Sequence, residues 1–184
     1  MELTKAIENR RSIRKYKDMP VTEQQVREIL TAASLAPSWT NSPPSRYYVA
    51  MGRARDAVAQ MLPDFNKKNT ENAPVFIVTA VVKGTSGYNK DGTPRTHLDD
   101  GFLHFDTGLR VQNICLKALD MGLGSLIMGV YDEKAIREYF EIPDTQEIVC
   151  VLSIGYPDID PDARPRLSVD EIAVLKKKLE EVSK

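Results

Sequence analysis

The residues in this chain best suited to chemistry are cationic and closely set. Arg10, Arg11, Ser12 and Arg14 stand in NRRSIRKY, and Arg164 and Arg166 flank Pro165 in DARPRL. Guanidinium forks and a serine hydroxyl can hold a phosphate monoester through charge-assisted, often bidentate hydrogen bonds. In an extended segment residues i and i+2 share a face, so Arg164 and Arg166 can grip one group together, and Pro165 limits the freedom lost on binding. The same residues also suit a solvated surface, and two clusters so far apart need a fold to bring them together. A third stretch, APSWTNSPPS, offers neutral hydrogen-bonding side chains at Ser38, Thr40 and Asn41. Such groups fit a heteroaromatic edge or a polyol chain, and equally a polar surface turn.

Other constellations are weaker. His97 and His104 have no cysteine or carboxylate set that would complete a metal site, so no metal is expected. No G-x-S-x-G elbow or P-loop is present. GLGS lies between helical and strand patterns, the wrong order for a dinucleotide fingerprint, and reads as a helix end at Gly122 followed by a tight turn. Cys115 and Cys150 sit in apolar runs without C-x-x-C spacing, as buried free thiols in a reducing compartment would. The formal net charge of -1 argues against nucleic acid or a polybasic membrane contact as partner. No apolar run reaches the roughly 18 residues of a membrane span, and the expected location is cytoplasmic.

These groups must be positioned by a mixture of helices and strands. Thr22 and Gln25 form the sequence pattern of a capping box ahead of Val26, Ile29, Leu30 and Ala33, predicting a helix that Pro37 closes. RYYVAM, APVFIVTAVVK, GLGSLIMG and QEIVCVLSIG read as strands, and the second is apolar without alternation, as a strand covered on both faces would be. A helix is predicted over 53–62, and another after Asp132 as N-cap. Residues 99–121 form a long helix whose apolar side chains cover most of its circumference, suiting a core or a subunit interface. GTSGYNKDGTPRTHLDDG is loop-like, 158–167 is extended and proline-rich, and SVDEIAVLKKKLEEVSK reads as a capped C-terminal helix. With 184 residues and no linker or repeat, one domain over 1–184 is expected, of class α+β, a three-layer α/β/α sandwich with a central mixed sheet.

In this order the segments resemble the FMN-dependent nitroreductase family. NRRSIRKY is similar to its R-x-S-x-R/K signature, ILTAASLAPSWTNSPP to its A-P-S-x-x-N-S-Q-P loop, ALDMGLGSLIMGVYD to its central G-L-G-[ST] segment, and IGYP followed by RPR to its C-terminal motif. The resemblance implies a nitroreductase-like fold, an intertwined homodimer with FMN at the subunit interface, and NADH or NADPH as electron donor. It implies nitroaromatics, quinones or related electron-poor molecules as acceptors, reduced in ping-pong order. By position it assigns Arg10, Ser12, Arg164 and Arg166 to the phosphate and ribityl chain, with Arg11 inside the motif through its backbone. Arg14 falls beside the ring edge, and Ser38, Thr40 and Asn41 reach the flavin from the other subunit. Met128 and Gly129 approach flavin N5, and Asn66 the pyrimidine edge. No side chain is assigned as a catalytic acid or base. Pro43, Pro44 and Ser45 stand where the family often has Gln-Pro-Trp. A specialised relative such as a dehalogenase or enone reductase, or a flavin-binding protein without turnover, remains open on this reading.

Overall fold

The computed structural model describes residues 1–176. Four strands form one sheet in the order β1-β2-β4-β3: β1 Ser45–Met51, β2 Val75–Val82, β3 Gly124–Met128 and β4 Gln146–Gly155. All three ladders are antiparallel, and the parallel part of the expected mixed sheet is a single bridge between Ser12 and Ser125 on the β3 edge. Thr79 pairs with Cys150, whereas Ala80 pairs with Ile148. The extra residue Val149 is a bulge, and it lets Cys150 and Ile148 face opposite sides although they are two apart.

Helices cover both faces. On one side α2 (Glu23–Ser34) and α5 (Gly101–Asp120) bury Val26, Ile29, Ala33, Ile114 and Ala118 against Val75, Ile77, Leu152 and Ile154. On the other, α3 (Arg53–Gln60) and α6 (Glu133–Phe140) bury Val58 and Ile136 against Phe76, Val78, Val151 and Leu126. β2 therefore feeds alternate side chains to two cores, which is why its sequence shows no polar alternation. Each large aliphatic side chain so covered contributes roughly 1.5–3 kcal/mol of burial. This is the three-layer α+β arrangement expected.

Local signals explain the boundaries. Thr22 and Gln25 close a reciprocal capping box on α2, and Asp132 accepts from the Ala135 N–H at 3.0 Å to start α6. Gly122, at φ 74°, ends α5, with the Leu123 N–H returning to the Ala118 carbonyl at 2.8 Å. α1 (Leu3–Asn9) packs against α5, and α4 (Asp64–Asn69) is a short helix without an apolar stripe. The C-terminal helix is shorter than expected among the described residues: α7 is Val169–Ile172, and Ala173 is already extended. The remainder of that expectation, 177–184, lies outside the described residues.

Candidate functional site

After α1 the chain runs along the free edge of β3. Ser12 bridges Ser125, and the Ile13 N–H donates to the Ser125 carbonyl at 3.0 Å. The Lys17 N–H donates to the Tyr156 carbonyl at 2.9 Å and the Asp158 N–H to the Lys15 carbonyl at 3.0 Å, while Tyr16 bridges Pro157. Tyr16 is buried, with its hydroxyl 2.8 Å from Ser153 Oγ, and burial raises its phenol well above the ordinary range. Residues 10–17 are thus clamped between β3 and the segment after β4.

The clamp leaves particular side chains available. Arg11 donates to the Glu8 and Arg10 carbonyls, so its guanidinium is taken up at the end of α1. Arg10 and Ser12, two apart on an extended stretch, have side chains that make no hydrogen bond among the described residues. Arg14 is exposed and touches only the Ser12 carbonyl, at 3.3 Å. A cavity of about 100 Å³ lies here, lined by Arg10, Arg11, Cys115, Ser125, Ile159 and Asp160 among others. Burial pushes the Cys115 thiol up, while Ser125 and Arg10 act in the opposite sense. The carboxylate of Asp160 on the wall works against an anion there.

β3 carries this edge from Gly124 to Met128, roughly 13 Å at strand rise. At its far end Met128 is buried, but Gly129 is exposed, and a Cβ added there would meet nothing within 4 Å. Asn66, 5% exposed on α4, donates from Nδ2 to the Val130 carbonyl at 3.2 Å. Asn66 therefore stands behind the turn that follows Gly129, with its amide nitrogen committed to the backbone.

The loop with Ser38, Thr40 and Asn41 lies elsewhere. It is a single 3₁₀ turn, Trp39–Asn41, leading into β1 at the opposite edge of the sheet. Three inter-strand steps, about 14 Å, separate β1 from β3, and no hydrogen bond among the described residues joins the loop to β3 or to Arg10. Thr40 and Asn41 are both left-handed, at φ 45° and 57°, which costs of order 1–3 kcal/mol each and is least natural for a β-branched threonine. Ser38 Oγ and Trp39 Nε1 are buried with no hydrogen-bond partner among the described residues. The loop is held by α5: the Trp39 N–H donates to Asp106 Oδ2 at 2.9 Å, and Ser86 Oγ donates to the same oxygen at 2.6 Å.

Arg164 and Arg166 lie on an exposed stretch, and among the described residues no hydrogen bond or ion pair brings them to Arg10 or Ser12. Arg166 donates only to the carbonyls of Arg164 at 3.1 Å and Pro165 at 3.2 Å. A larger concavity, about 480 Å³ beside Val21, Gly52, Arg55 and Pro74, contains none of the candidate residues.

Two pairs of residues were not singled out from the sequence. Ser125 and Gly124 receive the basic segment, and a Cβ at Gly124 would collide with the Ile13 side chain. Asp106 and Arg110, polar residues of α5, are 2% and 5% exposed. The signal was available, because they lie three and seven residues after Leu103, on the same stripe as Ile114 and Ala118.

The nitroreductase family matches residues 7–156 of this chain. A protein of Archaeoglobus fulgidus, named as a candidate NADH dehydrogenase/NAD(P)H nitroreductase, is 33% identical over 179 residues, covering 93% of this chain and 96% of its own. The NADPH-flavin oxidoreductase of Vibrio harveyi is 28% identical over 85% of this chain and 66% of its own. Among solved structures, a candidate nitroreductase of Exiguobacterium sibiricum in complex with FMN superposes with a TM-score of 0.84 at 24% identity, covering 96% of this chain and 98% of its own.

Proposed function

The chain belongs to the nitroreductase family, and from that premise we propose that it is an FMN-dependent oxidoreductase taking electrons from NADH or NADPH and passing them to a small electron-poor acceptor. We take 1–184 as one such domain. The names of its relatives, an NADPH-flavin oxidoreductase and NAD(P)H nitroreductases among them, support this reading. The observation that carries it is the β3 edge. Free guanidinium and hydroxyl donors, Arg10 and Ser12, stand at one end, and the uncrowded backbone of Gly129 stands at the other.

The residues present fit FMN. Arg10 and Ser12 offer charge-assisted and neutral hydrogen bonds to a phosphate. Arg164 and Arg166, both exposed and, among the described residues, with only Arg166 donating, to nearby backbone carbonyls, would close on the same group. Arg14, farther along the edge, would place positive charge beside the ring and lower the cost of negative charge there. The exposed backbone at Gly129, next to buried Met128, would present a donor to the ring, and Asn66 would fix that backbone through Val130.

One chain is too small a holder for this cofactor. The cavity at Arg10 is about 100 Å³, enough for a phosphate but below the roughly 300–1,000 Å³ of usual cofactor pockets. Ser38, Thr40 and Asn41 are at the opposite sheet edge. A homodimer in which this loop of one copy meets the β3 edge of the other would complete the site. Exposed Phe105, on the outer side of α5, supports a contact of that kind. The two free, buried thiols suit a cytoplasmic setting; among the described residues no helix is long and apolar enough to cross a membrane.

FMN, when bound, supplies the electron transfer itself, so donor and acceptor would use one place in succession. The chain's own contribution is to hold the phosphate, aim the ring and set the field around it, without a dedicated acid or base. Trp39 and Phe102, with ring centroids 4.7 Å apart, give the loop side an aromatic surface suited to flat acceptors such as nitroaromatics and quinones. Steady-state oxidation of NADH and NADPH by the FMN-loaded protein, with a quinone and a nitroaromatic in turn, tests this. Acceptor-dependent oxidation with parallel double-reciprocal lines is expected. Loaded protein that oxidises neither donor with any acceptor would contradict it.

A further inference from the structure

One carboxylate oxygen ties together two loops that the sequence keeps far apart. Asp106 Oδ2 accepts from the Trp39 N–H at 2.9 Å and from Ser86 Oγ at 2.6 Å, and Asp106 is 2% exposed. Ser86 is fully buried, and its hydroxyl also lies 2.9 Å from Ser42 Oγ. The segment beyond Ser86 folds back on its own base: the Arg95 N–H donates to the Gly87 carbonyl at 2.7 Å. Arg95 then returns its guanidinium to within 6.0 Å of the Trp39 ring. The 83–98 segment therefore meets the Trp39 turn twice, through the buried oxygen and through the exposed Arg95 side chain.

We propose that Asp106 is the positioning residue of the Ser38–Asn41 turn and that, through Ser86, it joins this turn to the 83–98 segment, so that FMN held against the turn also orders the segment. The inference rests on the reading of Ser38, Thr40 and Asn41 as flavin contacts. Thr40 and Asn41 occupy left-handed backbone, which persists only where surrounding contacts impose it. Among the described residues, the bond from the Trp39 N–H to Asp106 is the hydrogen bond that reaches Trp39–Asn41 from a distant element. A buried carboxylate oxygen shared by two donors gives both loops one anchor, so holding one donor in place favours the arrangement in which the other is held as well.

The test uses the full chain with and without FMN, and reads flavin affinity together with tryptic cleavage after Arg95, an exposed site on the returning arm of the segment. Cleavage of a transiently opened segment follows the population of its open form. Without flavin, Ser86→Ala should be cut faster than wild type by about tenfold, one decade in the opening equilibrium. FMN should slow cleavage of the wild type and protect Ser86→Ala far less, although Ser86→Ala still binds it. Asp106→Ala should weaken FMN binding by about tenfold or more, whereas Asp106→Asn, which keeps an acceptor oxygen, should recover much of that loss. If Asp106→Ala does not fold, Ser86→Ala still decides the matter. Equal cleavage of wild type and Ser86→Ala without flavin, or equal FMN protection of both, would overturn the proposal. Wild-type protein that takes up no FMN would instead refute the proposed function, and the flavin-free cleavage comparison would still test the joint itself.

Discussion

Ile13 lies directly on Gly124: its backbone N–H reaches the Ser125 carbonyl at 3.0 Å, and its side chain fills the space a Cβ at Gly124 would need. This contact fixes where Arg10, Ser12 and Arg14 stand relative to β3. Gly124→Ala should force the segment off the strand and cost about 1–3 kcal/mol as an overpacking change. Thermal unfolding should register that loss, and flavin retention should fall with it. Gly129→Ala, where nothing lies within 4 Å of the added Cβ, should leave the unfolding midpoint nearly unchanged.

Arg164 and Arg166 are exposed and hold nothing else in the described chain together. Replacing both by Ala should leave the melting temperature of the flavin-free protein unchanged while weakening FMN binding by roughly 10–100-fold, as expected for lost charge-assisted hydrogen bonds. Flavin titration followed by fluorescence checks this. Undiminished affinity in the double variant would remove these two arginines from the phosphate site.

Asn66→Ala should show a different pattern. Its Nδ2 holds the Val130 carbonyl, and its own backbone carbonyl accepts from Thr70 Oγ1 at 2.7 Å. Losing the side chain should lower stability by about 0.5–1.5 kcal/mol, the net worth of one hydrogen bond at a part-buried site. It should weaken flavin binding by loosening Gly129, and differential scanning calorimetry with and without FMN separates the two effects.

The buried thiols give a pH signature. Burial raises Cys150 from the ordinary 9.0 to about 11 and moves Cys115 in the same direction. Between those values the unfolded chain releases a proton that the folded chain keeps, so the stability contribution is fully present below about pH 9 and is lost as pH rises towards 11. Two units correspond to about 2–3 kcal/mol for Cys150. Urea midpoints measured from pH 8 to 11 should fall for the wild type and fall less for Cys150→Ser. Neither thiol should react with a disulfide reagent until the protein unfolds.

Where one physical pattern dominated a segment, the sequence was legible. The Thr22–Gln25 box, the Asp132 cap and the unbroken apolar run of β2 each had a single interpretation, and each element stands where those signals put it. α4 was not legible, because six residues with no apolar stripe give periodicity nothing to act on. The Ser168–Glu171 capping box was readable, yet α7 stops at Ile172; Leu167, Val169 and Ile172 are all exposed, so no packed face extends it within this chain. At the candidate site, motif order identified the segments but not their geometry. Asp106 and Arg110 are polar positions on a largely apolar helix, and burial turns Asp106 into the tie between two loops, which helical periodicity does not encode. The separation of Ser38–Asn41 from Arg10 follows from strand order, which no local pattern encodes.

The central claim is that the β3 edge holds FMN, and the visible absorption spectrum of the purified protein, with the released chromophore identified by chromatography, tests it most directly. Oxidised-flavin bands and release of FMN are the predicted result. A colourless protein that also takes up no added FMN would contradict the claim.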